Sequence, residues 1–196
     1  HEIRTPMNGI LGFSGLLKEP NLTKEKTANF INIIQNSGQQ LLQIIDDILE
    51  ISKLETKQIK VNQEEVNLNE LLLELFSIFD IKAKENKIPL YLKKGLSDQQ
   101  SNIITDKIKL TKIISNLLEN ALKFTNIGFV EFGYNIKDHL IQLYVKDTGI
   151  GIKKENQKII FERFSQAEEE LSKKIGGLGL GLSIAKENTE LLDGEI

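Results

Sequence analysis

The sequence contains no cysteine. Disulfide frameworks, thiolate metal sites and cysteine nucleophiles are therefore excluded, and the composition fits a reducing compartment. No apolar run approaches the roughly 18 residues of a membrane-spanning helix, and no signal-peptide pattern opens the chain. An excess of positive charge is missing too. The 25 Lys and Arg stand against 28 Asp and Glu, a net charge of -3, which argues against a broad nucleic-acid footprint. There is no internal repeat and no low-complexity tract. What is present is ordinary globular material, 196 residues that are 40% hydrophobic and 27% charged, enough for one or two domains with a real core. The chain begins at His1 and stops at DGEI where a further strand is due, so it reads as a piece of a longer protein.

Two periodicities divide it. Residues 1–58 read as two helices. Ile3, Met7, Ile10 and Leu17 keep helical spacing, Pro20 breaks it, and Thr23 is the expected N-cap of the next helix. That helix carries Phe30, Ile34, Ser37, Leu41, Ile44, Ile48 and Ile51 at alternating steps of four and three, a heptad seam. A hairpin of two helices buries such a seam poorly. Pairing two copies into a four-helix bundle solves this and predicts a homodimer; packing of the hairpin on the rest of its own chain is the alternative. Pro6, within the first helix, is expected to remove a backbone bond and bend that helix.

KLETKQIKV is the expected joint, and from residue 62 the pattern mixes helices with short strands. NLNELLLELFSIFDIKAKEN and DKIKLTKIISNLLENALKF read as helices, PLYLKK and NIITD as strands. FVEFGYNIKD and HLIQLYVKD read as the arms of a hairpin, NQKIIFERF as a short helix and LGLSIAKENTELL as a final one. The fold class is α+β: a helical hairpin followed by a sheet covered on one side by helices.

The helix holding NLLENALKF has two unlike faces. Leu110, Ile113, Leu117, Ala121 and Phe124 are expected to meet the sheet, while Lys109, Lys112, Asn116, Asn120 and Lys123 form a polar side. Asparagine is a middling helix former, but its neutral carbonyl suits magnesium and neighbouring lysines attract phosphate. Two glycine turns accompany this helix. KDTGIGI follows a strand with Gly149 and Gly151, and KKIGGLGLGLSIAKE sets Gly176, Gly177, Gly179 and Gly181 ahead of a helix, an arrangement that cradles phosphates. Other nucleotide and metal fingerprints fail. Leu182 and Ser183 follow Gly181 where a Walker A loop needs Lys and then Ser or Thr, neither cluster supplies GxGxxG, and Thr5 stands where an HExxH zinc motif needs its second histidine.

With these segments in view, the chain resembles the catalytic core of a sensor histidine kinase of a two-component system. HEIRTP resembles the H box, NLLENALKFT the N box, DTGIGI the G1 box, FERF the F box and GLGLGL the G2 box, in the family's order and over essentially the whole chain. The resemblance implies a dimerisation and histidine-phosphotransfer hairpin over 1–58 and a Bergerat-type ATP-binding domain over 62–196. It implies transfer of the γ-phosphate of ATP to His1, then to an aspartate of a response-regulator receiver, with phosphatase activity towards that partner. Glu2 would handle a proton at the imidazole, and Thr5, one turn on, would orient a water for the phosphatase reaction.

In the second domain Asn120 would hold Mg2+, with Asn116 and Lys123 on the phosphate side. Asp147 would accept from the adenine amino group, and Gly149 and Gly151 would shape its turn. Arg163 would approach the γ-phosphate. Residues 165–178 would form a lid carrying Lys173 and Lys174, leading into Gly177, Gly179, Gly181 and Leu182. Phe124 stands against the base or in the core; Ile152, Phe161 and Phe164 are walls. Leu178 replaces the family's usual threonine and Lys109 a frequent arginine. The implied location is the cytoplasm, with membrane attachment only through other parts of the parent protein. An ATP-driven clamp would keep the nucleotide boxes but has no use for HEIRTP on a dimeric hairpin. A non-catalytic scaffold would bind ATP without forming phosphohistidine.

Overall fold

The computed structural model describes residues 3–55, 60–138, 140–165 and 178–196, and at Glu55 the backbone alone. The N-terminal part is a helical hairpin of α1 (Arg4–Leu16) and α2 (Lys24–Glu55). Thr23 caps α2 as expected, its hydroxyl accepting from the Lys26 N–H at 3.2 Å. At about 1.5 Å per residue the 32 residues of α2 span about 48 Å. The helices meet closely: the Phe13 and Phe30 rings lie 5.3 Å apart, and a Cβ on Gly9 would stand 2.7 Å from Ser37 Oγ.

Pro6 is buried in α1. One expectation for the hairpin needs correction. The heptad seam is largely occupied within the chain. Ile44 and Ile51 are buried, Ile51 against the second domain, and Phe30 lies against Phe13. Ile48, expected in the same seam, is exposed. A second stripe, Ile31, Leu42, Ile45 and Leu49, faces solvent along α2, and Ile3, Met7 and Leu11 do so on α1.

The second part begins with β1 (Glu64–Asn67) and α3 (Leu68–Glu85), followed by β2 (Leu90–Lys93), a 3-10 turn (Asp98–Gln100), β3 (Asn102–Thr105) and α4 (Lys107–Phe124). The hairpin β4 (Val130–Lys137) and β5 (Leu140–Asp147) comes next, and α5 (Gly181–Leu191) closes the described chain. β1 pairs antiparallel with β3, a strand that residue pattern had not announced. The main sheet has the order β2-β4-β5. Its β4–β5 pair is the expected hairpin, but β2 and β4 run parallel. The chain between them passes through β3 and α4, long enough for the crossover that a parallel pair needs. NQKIIFERF forms successive turns instead of a helix. One α-type bond, Ile160 N–H to Asn156 at 3.0 Å, stands among three-residue turns, too little to propagate a helix.

Leu68, Leu71, Leu72, Leu75 and Phe79 of α3 pack with Leu110, Ile114, Leu118 and Leu122 of α4 and with Val130, Phe132 and Tyr134 of β4. The buried arc of α4 is thus shifted from the one expected: Leu117 and Phe124 are only half-buried, while Ile114, Leu118 and Leu122 are in the core. The cause is that α4 packs on the sheet and α3 and also on α5, so its apolar arc serves two sides. Among the described residues no helix is long and apolar enough to cross a membrane.

Asp106 starts α4 and joins it to the entry of the domain. One carboxylate oxygen accepts from the Lys109 N–H at 3.0 Å and the other from the Asn62 N–H at 2.9 Å. Burial opposes its charge, but these two N–H groups and the Lys109 ammonium outweigh burial and hold the carboxyl below the usual aspartate range. A depressed folded pKa means stabilisation present above the unfolded value near 3.8 and lost as pH falls through the folded one. Asp106→Ala is expected to cost about 1–2 kcal/mol in denaturant unfolding near neutral pH. The gap between wild type and Asp106→Ala should narrow as pH drops from about 6 to about 3.

Candidate functional site

The asparagine face of α4 looks onto the start of α5. A Cβ built on Gly181 would stand 3.2 Å from Asn116 Oδ1 and 3.9 Å from Asn120 Nδ2. Both asparagines, placed four residues apart, thus converge on the helix start that the second glycine cluster supplies. That start has no side-chain cap and no acidic residue in its first turn, so its positive dipole end is not neutralised from within. Asn116 Nδ2 is buried without a hydrogen-bond partner among the described residues. A buried donor in that state is costly, and an anion oxygen would satisfy it.

The first glycine cluster joins the other end of α4. Gly149 N–H donates to Asp147 Oδ1 at 2.8 Å, and Ile150 N–H donates to the Phe124 carbonyl at 3.3 Å. A Cβ on Gly149 would lie 2.3 Å from that carbonyl oxygen, so no larger residue fits the approach. Asp147, Gly149 and Phe124 therefore form one corner, with the Asp147 side chain exposed and Phe124 half-buried. The Lys123 ammonium lies 5.2 Å from the Phe124 ring centroid. Gly151 takes φ +69 with open space where a Cβ would go. Ile152 is exposed beside it.

The F-box segment packs on the G2 turn. Gly179 has φ +68, and a Cβ there would meet the Ser165 carbonyl oxygen at 2.5 Å. Arg163 Nε donates to Glu187 Oε1 of α5 at 2.9 Å. Glu187 was not foreseen, because nothing in the sequence pairs it with Arg163. Phe161 is half-buried and Phe164 exposed; Leu182 is half-buried in the first turn of α5. Lys109 and Lys112, expected to draw phosphate, are paired instead with Asp106 at 3.5 Å and with Glu50 of α2. Thr5 is exposed on α1. His1, Glu2, Lys173, Lys174 and Gly177 lie outside the described residues.

The site therefore gathers Asn116, Asn120, Gly179 and Gly181 at one end of α5, and Phe124, Asp147 and Gly149 at the C-terminal end of α4. A cleft of about 340 Å³ lined by Leu73, Phe76, Leu90 and Leu92 lies between α3 and β2, and none of the site residues lines it. Among the described residues no group of three or more His, Cys, Asp or Glu side chains could hold a metal ion. An ion here would need oxygens beyond the one Asn120 carbonyl, and magnesium is commonly bound in that way, by few protein oxygens plus substrate phosphates.

Comparison with known proteins bears on both halves. A family model described as His Kinase A (phospho-acceptor) domain matches residues 1–57. A second, described as Histidine kinase-, DNA gyrase B-, and HSP90-like ATPase, matches residues 105–196. The chain is 36% identical over 200 residues to the autoinducer 2 sensor kinase/phosphatase LuxQ of Vibrio cholerae, covering all of this chain and 23% of that protein. It thus spans about a quarter of that relative's length. Full-length ShkA, crystallised in complex with AMPPNP, superposes with a TM-score of 0.72 at 28% identity, over 98% of this chain and 40% of that one. Histidine kinase ThkA, crystallised in complex with response regulator protein TrrA, gives 0.73 at 27% identity, over 99% of this chain and 53% of that one.

Gly179→Ala should destabilise the second domain more than Gly151→Ala in denaturant melts. Each puts a Cβ at positive φ, at a cost of about 1–2 kcal/mol, but only the first also drives it into a carbonyl oxygen.

Proposed function

Because the chain belongs to the histidine kinase family, with a phospho-acceptor hairpin ahead of an ATPase-type α/β unit, we propose that it is the core of an ATP-dependent protein-histidine autokinase of two-component signalling. The domains run over 1–58 and 62–196. The observation that carries this reading is the convergence of Asn116 and Asn120 on Gly181, with the Asn116 Nδ2 buried and unpartnered among the described residues. In the reaction a nitrogen of His1 attacks the γ-phosphorus of ATP while the bond to the ADP oxygen breaks. The phosphoryl group then passes to an aspartate carboxylate of a receiver domain.

Phosphoryl transfer asks for alignment and charge neutralisation more than covalent chemistry. Asp147 accepts from the adenine amino group, and Phe124 stands beside the base. Gly149 and Gly151 keep that turn clear of side chains. Gly177, Gly179, Gly181 and the backbone of Leu182 surround the phosphates, with the Asn116 amide and Lys123 donating to them. The Asn120 carbonyl is the protein group that would hold Mg2+, which would supply charge neutralisation at the phosphates. Arg163 carries positive charge to the γ-phosphate on leaving Glu187, joined by Lys173 and Lys174 of the lid. Glu2 handles the imidazole proton, and Thr5, exposed on α1, orients water for phosphatase hydrolysis of the receiver's aspartyl phosphate, which releases inorganic phosphate. The core works in the cytoplasm.

We further propose a homodimer through the exposed stripe of α2 (Ile31, Leu42, Ile45 and Leu49) together with Ile3, Met7 and Leu11 of α1. Burying four such aliphatic side chains on each copy is worth several kcal/mol at about 1.5–3 kcal/mol each. This places the dimer seam one step around α2 from the heptad positions that the hairpin itself occupies.

Incubation with γ-labelled ATP should give an acid-labile, base-stable phosphate on the wild-type chain and none on His1→Gln. Asn120→Asp should abolish labelling while leaving His1 intact, and failure of the wild type to label would sink the kinase reading. The double variant Leu42→Glu, Ile45→Glu is expected to sediment as a folded monomer where the wild type sediments as a dimer.

A further inference from the structure

Strand β5 ends at Asp147, and the residue after it closes the ladder with its side chain. In the antiparallel β4–β5 register Val130 faces Asp147, so Phe129 and Thr148 stand opposite each other one step beyond the strands. In a regular antiparallel ladder a hydrogen-bonded pair exchanges both main-chain bonds. Here the main chain makes only one of them: Thr148 N–H donates to the Phe129 carbonyl at 3.2 Å. The Phe129 N–H donates instead to the Thr148 hydroxyl oxygen at 2.9 Å. A side-chain oxygen thus takes the place of the main-chain carbonyl.

This exchange releases the Thr148 carbonyl from the ladder, and the chain turns away directly after Asp147. The hydroxyl has a single hydrogen to give, and it lies near two carbonyls, that of Phe129 at 3.2 Å and that of Ile127 at 3.4 Å. Gly128 admits it: the backbone there takes φ +117, and a Cβ would collide with Thr148 Oγ1. Phe129 is held from its other side as well. Its ring centroid lies 5.9 Å from that of Tyr91 on β2, edge on, and the Lys146 ammonium stands 5.8 Å from it. The hydroxyl therefore fastens the turn to an anchored residue.

Thr148 is exposed, so its hydroxyl has water at hand, yet it is committed to main chain as donor and as acceptor. Asp147 is the residue immediately before this closure. Its Oδ1 accepts from Gly149 N–H at 2.8 Å, and Ile150 N–H reaches the Phe124 carbonyl at 3.3 Å. Those ties hold the turn to itself and to α4; the Thr148 hydroxyl adds the tie to the start of β4. A carboxylate that accepts from one amino group of a flat base needs its direction fixed, because a hydrogen bond weakens steeply off line. We propose that Thr148 is a positioning residue, whose hydroxyl, seated over Gly128 on the main chain of Phe129, aims the Asp147 carboxylate at the adenine amino group. The proposal rests on the reading of Asp147 as the acceptor for adenine, and on the contacts alone for the clasp itself.

Two nucleotides and three variants test it. Thr148→Val keeps the shape of the side chain without the hydroxyl, Thr148→Ala removes it without adding a methyl to a polar turn, and Thr148→Ser keeps the oxygen. Calorimetric titration compares ATP with purine riboside triphosphate, which lacks the amino group. The wild type prefers ATP. Thr148→Val and Thr148→Ala lose at least about fivefold in ATP affinity, the scale of one hydrogen bond, and less than about twofold for the analogue; Thr148→Ser binds both as the wild type does. Amide exchange followed by NMR reads the clasp without nucleotide. The Phe129 N–H exchanges faster in Thr148→Val and Thr148→Ala than in the wild type and Thr148→Ser, while the amide of the buried Phe132 keeps its rate. Equal losses for ATP and the analogue overturn the proposal, because the hydroxyl would then only hold the fold. An unchanged ATP affinity, or an unchanged Phe129 rate, overturns it too. A wild type that binds the two nucleotides equally overturns the adenine reading of Asp147 and the aiming role with it, and Phe129 exchange still reports the clasp.

Discussion

The contact between the asparagine face of α4 and the first residue of α5 is the constraint on which the rest depends. Gly181 lies so close to the two asparagines that a Cβ there would press on Asn116 Oδ1 at 3.2 Å and touch Asn120 Nδ2 at 3.9 Å. For the approach to hold, α4 must be buried against the sheet and α3 on one side and against α5 on another, while keeping a polar strip between. Its arc of Leu110, Ile114, Leu118 and Leu122 meets the first demand. The two asparagines occupy the strip, where leucine would pack more favourably and do nothing chemically.

The stem obeys a comparable economy of faces. One row of α2 closes the hairpin, around Phe30, Ser37 and Ile44; a second, around Leu42, Ile45 and Leu49, stays exposed; and the end of the helix, at Glu50 and Ile51, meets the second domain. Among the described residues Ile51 and Glu50 join α2 to α4 and α5.

Much of this was legible in the residues. The break at Pro20 with Thr23 as cap, the long amphipathic α3 and α4, the β4–β5 hairpin and the two glycine turns all follow from local periodicity and turn chemistry, and each appears where expected. Other features were not. β1 is four residues long and gains its hydrogen bonds from β3, about forty positions away. The parallel pairing of β2 with β4 depends on the path of the intervening chain. The buried arc of α4 was misplaced because a wheel drawn for one partner cannot show that the helix has two. The turns at NQKIIFERF kept apolar spacing without forming a helix, since spacing alone does not supply the bonds to propagate one.

By itself the sequence determined which residues are available and in what local frame: Asn116 and Asn120 on one side of a helix, Gly179 and Gly181 just ahead of another, and an imidazole at the head of a hairpin. Local spacing decides this, because helix and turn geometry relate only near neighbours. Tertiary structure alone decided which of these frames meet. It set Gly181 against the asparagines, Arg163 on Glu187, and Glu50 between Lys112 and Asn188. Those pairings join residues distant in the chain through packing in three dimensions, and no periodicity along one dimension encodes them.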